Sequence, residues 1–287
     1  MQRLCSSGLT HRGEIREEQP LSDSASASAR AGVHDPKVIH ATLEELVGRA
    51  RRLCGAGQRR ILGITGTPGA GKSTLCAALL DALSTDTVLV GMDGFHFANI
   101  ELARLDRADR KGAPDTFDID GYVALLSRLR RQSVAPIYAP IFNRGIEEPI
   151  GSAIPIPGNV PLIITEGNYL LLEDHGWNAV RRTLDEVWFL DIDPALREHR
   201  LVLRRQQFGH TAADARNWVA KVDEKNAAIT DTTRDRADLV VHLTTHLTES
   251  EHSLSPATPA DGQTGERSGE PQLHHLPAQP PTKSKDL

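Results

Sequence analysis

Five short apolar runs, at residues 61–65, 87–92, 161–165, 186–190 and 238–242, are each bounded by polar or turn residues and predict strands. Between them, residues 72–83, 119–131, 174–184, 194–208 and 212–228 carry helix-like patterns. Strands that are apolar throughout, alternating with amphipathic helices, predict a parallel sheet covered on both faces. Several boundaries have capping chemistry. Asp193 before Pro194 reads as an N-cap with proline at the first helical position, and Gly209 supplies a stop. Thr211 and Asp214 form a box-like start for the next helix, in which Ala215, Trp218, Val219 and Val222 fall at core spacing. Trp218 is therefore expected in the core. Residues 135–158 hold too many prolines for a central element, and predict an irregular excursion or an edge hairpin at the rim.

This pattern fades at both ends. Residues 1–34 include "LSDSASASAR", and residues 247–287 are rich in Pro, Ser and charge, with no apolar period. Such segments cannot bury enough surface to offset the entropy of ordering, so both are expected to be disordered tails around one domain at 35–246. His274-His275 in the second tail reads as solvated rather than metal-binding.

Composition narrows the classes. The formal net charge is -5 and the arginines are scattered, which disfavours a nucleic-acid binder. Cys5, Cys54 and Cys76 are far apart, with neither metal spacing nor a disulfide framework, which fits a reducing compartment. No apolar run approaches the length of a membrane span, and no signal-peptide pattern opens the chain. The expectation is a soluble cytoplasmic protein with no membrane partner, its assembly left open between monomer and homodimer.

The chemistry begins at "GTPGAGKST", which follows "ILGIT" and precedes a helical run. Gly66, Gly71, Lys72 and Ser73 satisfy the spacing of a phosphate-binding loop. In that motif the glycines let backbone N–H groups from Gly66, Thr67, Pro68, Gly69, Ala70, Gly71, Lys72, Ser73 and Thr74 wrap a nucleotide's phosphates, proline lacking one. Lys72 would reach the β and γ oxygens and Ser73 would hold Mg²⁺. Glu166, at the end of the strand "PLIIT", sits where a magnesium-side carboxylate or a structural cap would stand. Asp93 in "VGMDGFH" ends the second strand on the same rim, and is either a base addressing a substrate hydroxyl or a turn residue. No N-K-x-D motif occurs, which disfavours a guanine-nucleotide switch.

Seven pieces in order, "GITGTPGAGKST", "VGMDGFH", "RKGAPDTFDIDG", "IYAPIFNR", "IITEGNYLL", "VWFLDIDPALREHRLVLRR" and "TTRDRADLVV", resemble the P-loop kinases of the uridine kinase and type I pantothenate kinase group. The resemblance covers about residues 61–241. It implies a P-loop NTPase fold, a three-layer α/β/α sandwich with a five-stranded parallel sheet, and transfer of phosphate from ATP, with Mg²⁺, to a hydroxyl of a small metabolite such as a nucleoside, pantothenate or a sugar. It further implies that Asp93 is the catalytic or hydroxyl-orienting group and that Glu166 lies on the magnesium and substrate side. Arg110, Lys111, Asp115, Phe117 and Asp118 would fold near the acceptor, and Tyr138 and Arg144 would line its pocket. His96 follows the Asp93 turn, as an acceptor contact or as simple pocket lining. Arg197, Arg200 and Arg204 lie at i, i+3 and i+7 on the helix that resembles the lid, placed to clamp the transferring phosphoryl group or to form a solvated basic face. A non-catalytic ATP-binding sensor using its tails on a partner is the alternative; an acceptor carboxylate and lid arginines argue against it.

Overall fold

The apolar runs become strands buried on both faces. In the computed structural model, residues 35–55, 57–132 and 134–244 are described; both predicted tails, with Cys5 and His274-His275, lie outside them. The order is β1 (Lys37–Ala41), α1 (Leu43–Cys54), β2 (Arg60–Gly66), α2 (Lys72–Leu83), β3 (Thr87–Gly91), α3 (Asn99–Arg104), α4 (Ile119–Arg131), β4 (Ile137–Asn143) and β5 (Glu148–Ile156). The chain continues through β6 (Leu162–Glu166), α5 (Asn178–Arg181), β7 (Glu186–Asp191), α6 (Pro194–Gln207), α7 (Ala212–Trp218), α8 (Glu224–Asp231) and β8 (Leu239–Leu243). Six strands form one sheet in the order β1-β8-β7-β2-β6-β3, and every pairing in it is parallel.

Alternation along the strands feeds two cores. Ile61, Ile163, Phe189 and Val240 face one layer with Tyr122, Leu126 and Trp177. Leu62, Ile164, Trp188 and Val241 face the other with Leu46, Leu75 and Leu79. Each fully buried aliphatic side chain stabilises the fold by about 1.5–3 kcal/mol, and the buried polar residues Thr65 and Thr165 in these strands have their hydroxyls bonded to the Asn168 and Val90 carbonyl oxygens.

The sheet has one strand more than the five expected. β1 pairs only with β8 at the edge, and of "KVIHA" only Ala41 is buried, so the segment carries no continuous apolar signal. The helix that follows it announces itself more clearly, through a capping box. Thr42 Oγ1 accepts from the Glu45 N–H at 3.2 Å, and the Glu45 carboxylate accepts from the Thr42 N–H at 2.8 Å.

Two expected helices are interrupted. Residues 174–184 form a 3₁₀ turn and the four-residue α5, because His175 (φ 57°) and Gly176 (φ 92°) enter the left-handed region. Residues 212–231 are helical through α7 and α8, but a π-helical turn at Val219–Asp223 joins them. The proline-rich excursion is an antiparallel hairpin of β4 and β5, with a register shift between Ala139 and Ile141. It packs closely on the turn after β3: a Cβ on Gly94 would lie 2.8 Å from the Pro140 carbonyl oxygen. Among the described residues no helix is long and apolar enough to cross a membrane.

Candidate active site

Parallel register brings three strand ends to one rim. Glu166 on β6 lies level with Ile64 on β2 and Gly91 on β3, so the loop after β2, the turn after β3 and the end of β6 converge. A cleft of about 1060 Å³ opens there, lined by the loop and by Asp93, His96, Lys111 and Arg144.

The donor side is built on glycine. Gly66, Gly69 and Gly71 have φ of 142°, 83° and 96°, and a Cβ on Gly66 would meet the Leu190 carbonyl oxygen at 2.5 Å. α2 starts directly after this loop with no side-chain cap and no acidic residue in its first turn, which leaves its N–H groups available to an anion. Pro68 through Thr74 line the cleft, while Gly66 and Thr67 turn their carbonyl oxygens to Lys72. The Lys72 ammonium donates to these oxygens at 2.8 and 3.0 Å and is only 6% exposed. Burial lowers the Lys72 pKa, while the nearby Glu166 and Asp93 carboxylates oppose the shift.

Glu166 is the complement of that lysine. Burial raises its pKa, Lys72 pulls it back down, Asp93 adds to the rise, and a hydrogen bond from Ser73 lowers it. A serine hydroxyl and a half-buried carboxylate thus stand together at the start of α2. Among the described residues no cluster of three or more His, Cys, Asp or Glu side chains forms an all-protein metal cage. A hydroxyl and one carboxylate facing an anion site match the way Mg²⁺ is held when phosphates and waters supply its remaining ligands.

The part of the cleft where an acceptor is expected is more open. Asp93 is 41% exposed, and its carboxylate receives Arg144 at 3.3 Å. His96 Nδ1 lies 2.8 Å from the Asp93 carbonyl oxygen, which can only accept, so Nδ1 carries the proton. Burial lowers the His96 pKa against the opposing pull of Asp93; the ring is neutral near pH 7, and Nε2 is left as an acceptor. The ring packs between Phe117 and Phe142, with centroids 4.1 and 4.8 Å away. Lys111 donates to Asn99 Oδ1 at 2.7 Å and to the Glu147 carbonyl oxygen, and lies 5.2 Å from the Phe142 centroid.

Two residues expected near the acceptor stand elsewhere. Asp115 does not line the cleft; it pairs with Arg110 at 2.9 Å and Arg107 at 3.4 Å and fastens its own loop. Tyr138 is 52% exposed on β4, on the face opposite buried Ile137 and Ala139, and also lies outside the cleft lining. Phe117 joins the core, and Asp118 caps α4 by accepting from the Gly121 N–H at 2.9 Å.

The three arginines of α6 divide. Arg200 and Arg204 line the cleft, and a Cβ on Gly71 would lie 3.7 Å from the Arg200 guanidinium. Arg197 is 6% exposed, does not line the cleft, and binds both Glu224 oxygens at 2.8 Å. Its stem and Leu201 close over Gly69, where an added Cβ would meet them at 3.2 and 2.8 Å. Arg197 therefore ties α6 to the loop and α8.

Residues not foreseen also face the cleft. Trp218 is 42% exposed rather than in the core, because Ala215 and Val219 take the buried face and the π turn begins just after it. Arg205 lies over the Trp218 ring at 4.1 Å, and the Asp223 carboxylate is 3.9 Å from Arg205. The spacing Arg205, Trp218, Asp223 has no sequence signal, since the contacts exist only once α6 and α7 meet.

No protein-family model matches the chain. It is 33% identical over 180 residues to "Putative uridine kinase C227.14" of Schizosaccharomyces pombe, covering 60% of this chain and 77% of that protein. It is 35% identical over 146 residues to "ATP-dependent kinase-like protein notR'" of Aspergillus versicolor, covering 47% and 84%. The crystal structure titled "putative fructose transport system kinase" from Silicibacter sp. TM1040 superposes with a TM-score of 0.64 at 33% identity, over 70% of this chain and 98% of that one.

Proposed function

The chain belongs to the uridine kinase-like P-loop kinases, and on that premise we propose that it transfers the γ-phosphoryl group of ATP to a hydroxyl of a small metabolite such as a nucleoside, pantothenate or a sugar. The observation that carries this reading is the convergence of Lys72, Ser73 and Glu166 with Asp93 across one cleft. A site that only bound nucleotide would need the first three, and would have no use for an exposed carboxylate on the opposite wall.

In this reading the loop amides and Lys72 hold the β and γ phosphates, and the lysine leaves the carbonyls of Gly66 and Thr67 to do so. Ser73 and Glu166 would hold Mg²⁺, which would supply charge neutralisation on the transferring group. Asp93 accepts or orients the hydroxyl proton once Arg144 releases it, with His96 Nε2 as a second acceptor for the same hydroxyl. Arg200 and Arg204 close over the phosphoryl group from α6. Much of the rate comes from alignment, which can supply about 7–11 kcal/mol in a well-oriented pair.

The test is the fate of a heavy-oxygen-labelled γ-phosphoryl group, followed by mass spectrometry with nucleosides, pantothenate and sugars as acceptors. Label on an acceptor is the expected result. Label in inorganic phosphate alone, with every acceptor, would contradict transfer.

A further inference from the structure

Two cations that line the cleft, Lys111 and Arg144, keep hydrogen-bond donors that the described residues leave unused. Lys111 has three N–H donors, and two are taken by uncharged oxygens, Asn99 Oδ1 and the Glu147 carbonyl. Among the described residues no carboxylate comes within 4.0 Å of its ammonium. The acids on neighbouring elements are engaged elsewhere: Asp115 with Arg107 and Arg110, Glu148 with the Asn99 N–H at 3.0 and 3.1 Å, and Asp93 with Arg144. Asp109 and Glu147 also line the cleft, yet neither carboxylate is within ion-pair distance of Lys111 or Arg144.

Arg144 is the second cation. Among the described residues one of its five N–H donors is spent, on a long and exposed pair with Asp93 that contributes little by itself. Both cations lie against one ring, at 5.2 and 6.0 Å from the Phe142 centroid. Once Asp93 turns to the reacting hydroxyl, as the proposed transfer requires, Arg144 loses the one charged partner it has among the described residues. An oxyanion that reached both would take up the remaining donors.

Building on the kinase reading, we propose that the acceptor is itself an anion: a hydroxylated small molecule whose carboxylate or phosphate group is held by Lys111 and Arg144 beside Phe142. Asp93 and His96 then address the hydroxyl, while the two cations fix the far end of the same molecule. Neutral nucleosides and neutral sugars are the classes this disfavours.

Matched pairs that differ in one charged group test the proposal: pantothenate with panthenol, glycerate with glycerol, and fructose 6-phosphate with fructose. Turnover is measured with ATP and Mg²⁺, and calorimetric binding with ADP present, using the full chain. At least one anion is expected to turn over and to bind well ahead of its neutral partner, and the winning pair distinguishes carboxylate from phosphate. Lys111→Met should raise the KM for that anion roughly 10- to 100-fold, with the KM for ATP unchanged, and Lys111→Arg should recover most of the loss. Equal or better use of the neutral members would overturn the anion site and leave the kinase reading standing. Lys111-dependent anion binding without turnover would support the anion site and overturn the kinase reading. Absence of both binding and turnover with all three anions would overturn the anion site.

Discussion

The two walls of the cleft are built in opposite ways. On the donor side Lys72 is almost fully buried, Glu166 is desolvated, and glycines at 66, 69 and 71 allow contacts that no other residue could make. On the acceptor side Arg144 is 62% and Asp93 41% exposed, and the residues come from the turn after β3, the loop after α3 and the β4–β5 hairpin. A phosphate chain is the same for every nucleotide, so its cradle can be rigid and local. In the proposed transfer the acceptor is particular to one enzyme, and the residues proposed to meet it come from separate segments.

That contrast is sharpest for Lys72→Ala, which should reduce turnover on the order of 10³-fold or more while the protein still folds. Near-normal turnover would mean that the donor wall has been misplaced. Asp93→Asn is the matching change on the acceptor wall. It should lower kcat about 10²- to 10⁴-fold with ATP affinity preserved, measured by steady-state kinetics beside nucleotide titration. A parallel loss of ATP affinity would erase the distinction between the two walls.

Arg197 and Arg204 extend the comparison to the lid helix. Arg197→Met should cost about 1–3 kcal/mol in denaturant unfolding, because it leaves Glu224 unpaired and loosens the cover on Gly69. Arg204→Met should leave stability within about 0.5 kcal/mol and lower turnover instead. Equal behaviour of the two variants would show that α6 presents one functional face after all.

The smallest effect concerns the cost of holding Glu166 ready. Burial places its folded pKa above the usual 4.5, so the folded state holds a proton that the unfolded chain has released, and stability falls as pH rises through that interval. Glu166→Gln should therefore stabilise the nucleotide-free protein at pH 7 by less than about 1 kcal/mol, with the gain vanishing near pH 4. Thermal unfolding at the two pH values measures it, and a gain independent of pH would assign the effect to something other than this carboxylate.

The glycine-rich loop was legible because its constraint is contiguous. Nine residues, a strand before them and a helix after them carry the whole geometry, and the register of β2, β3 and β6 then brings Asp93 and Glu166 to the same rim. The edge strand β1 was not legible, since four of its five residues remain at least partly exposed, although the Thr42–Glu45 box marks the helix after it. Trp218 misled because a helical period cannot anticipate a π turn, which changes the face presented by the residues around it. Arg197 misled for a different reason: its spacing matches Arg200 and Arg204, but its partner Glu224 belongs to a helix that meets α6 only in the folded chain. Asp115 likewise lies in a segment whose Lys111 lines the cleft, while its own carboxylate is taken by two local arginines.

The most direct measurement of the central claim is ADP formation by the full chain with and without a hydroxylated acceptor, with Lys72→Ala as the blank. The account predicts that ADP formation depends on the acceptor, that it disappears in the blank, and that one phosphorylated acceptor appears for each ADP. ADP formation at the same rate without any acceptor, or tight ATP binding with no turnover on any acceptor, would contradict it.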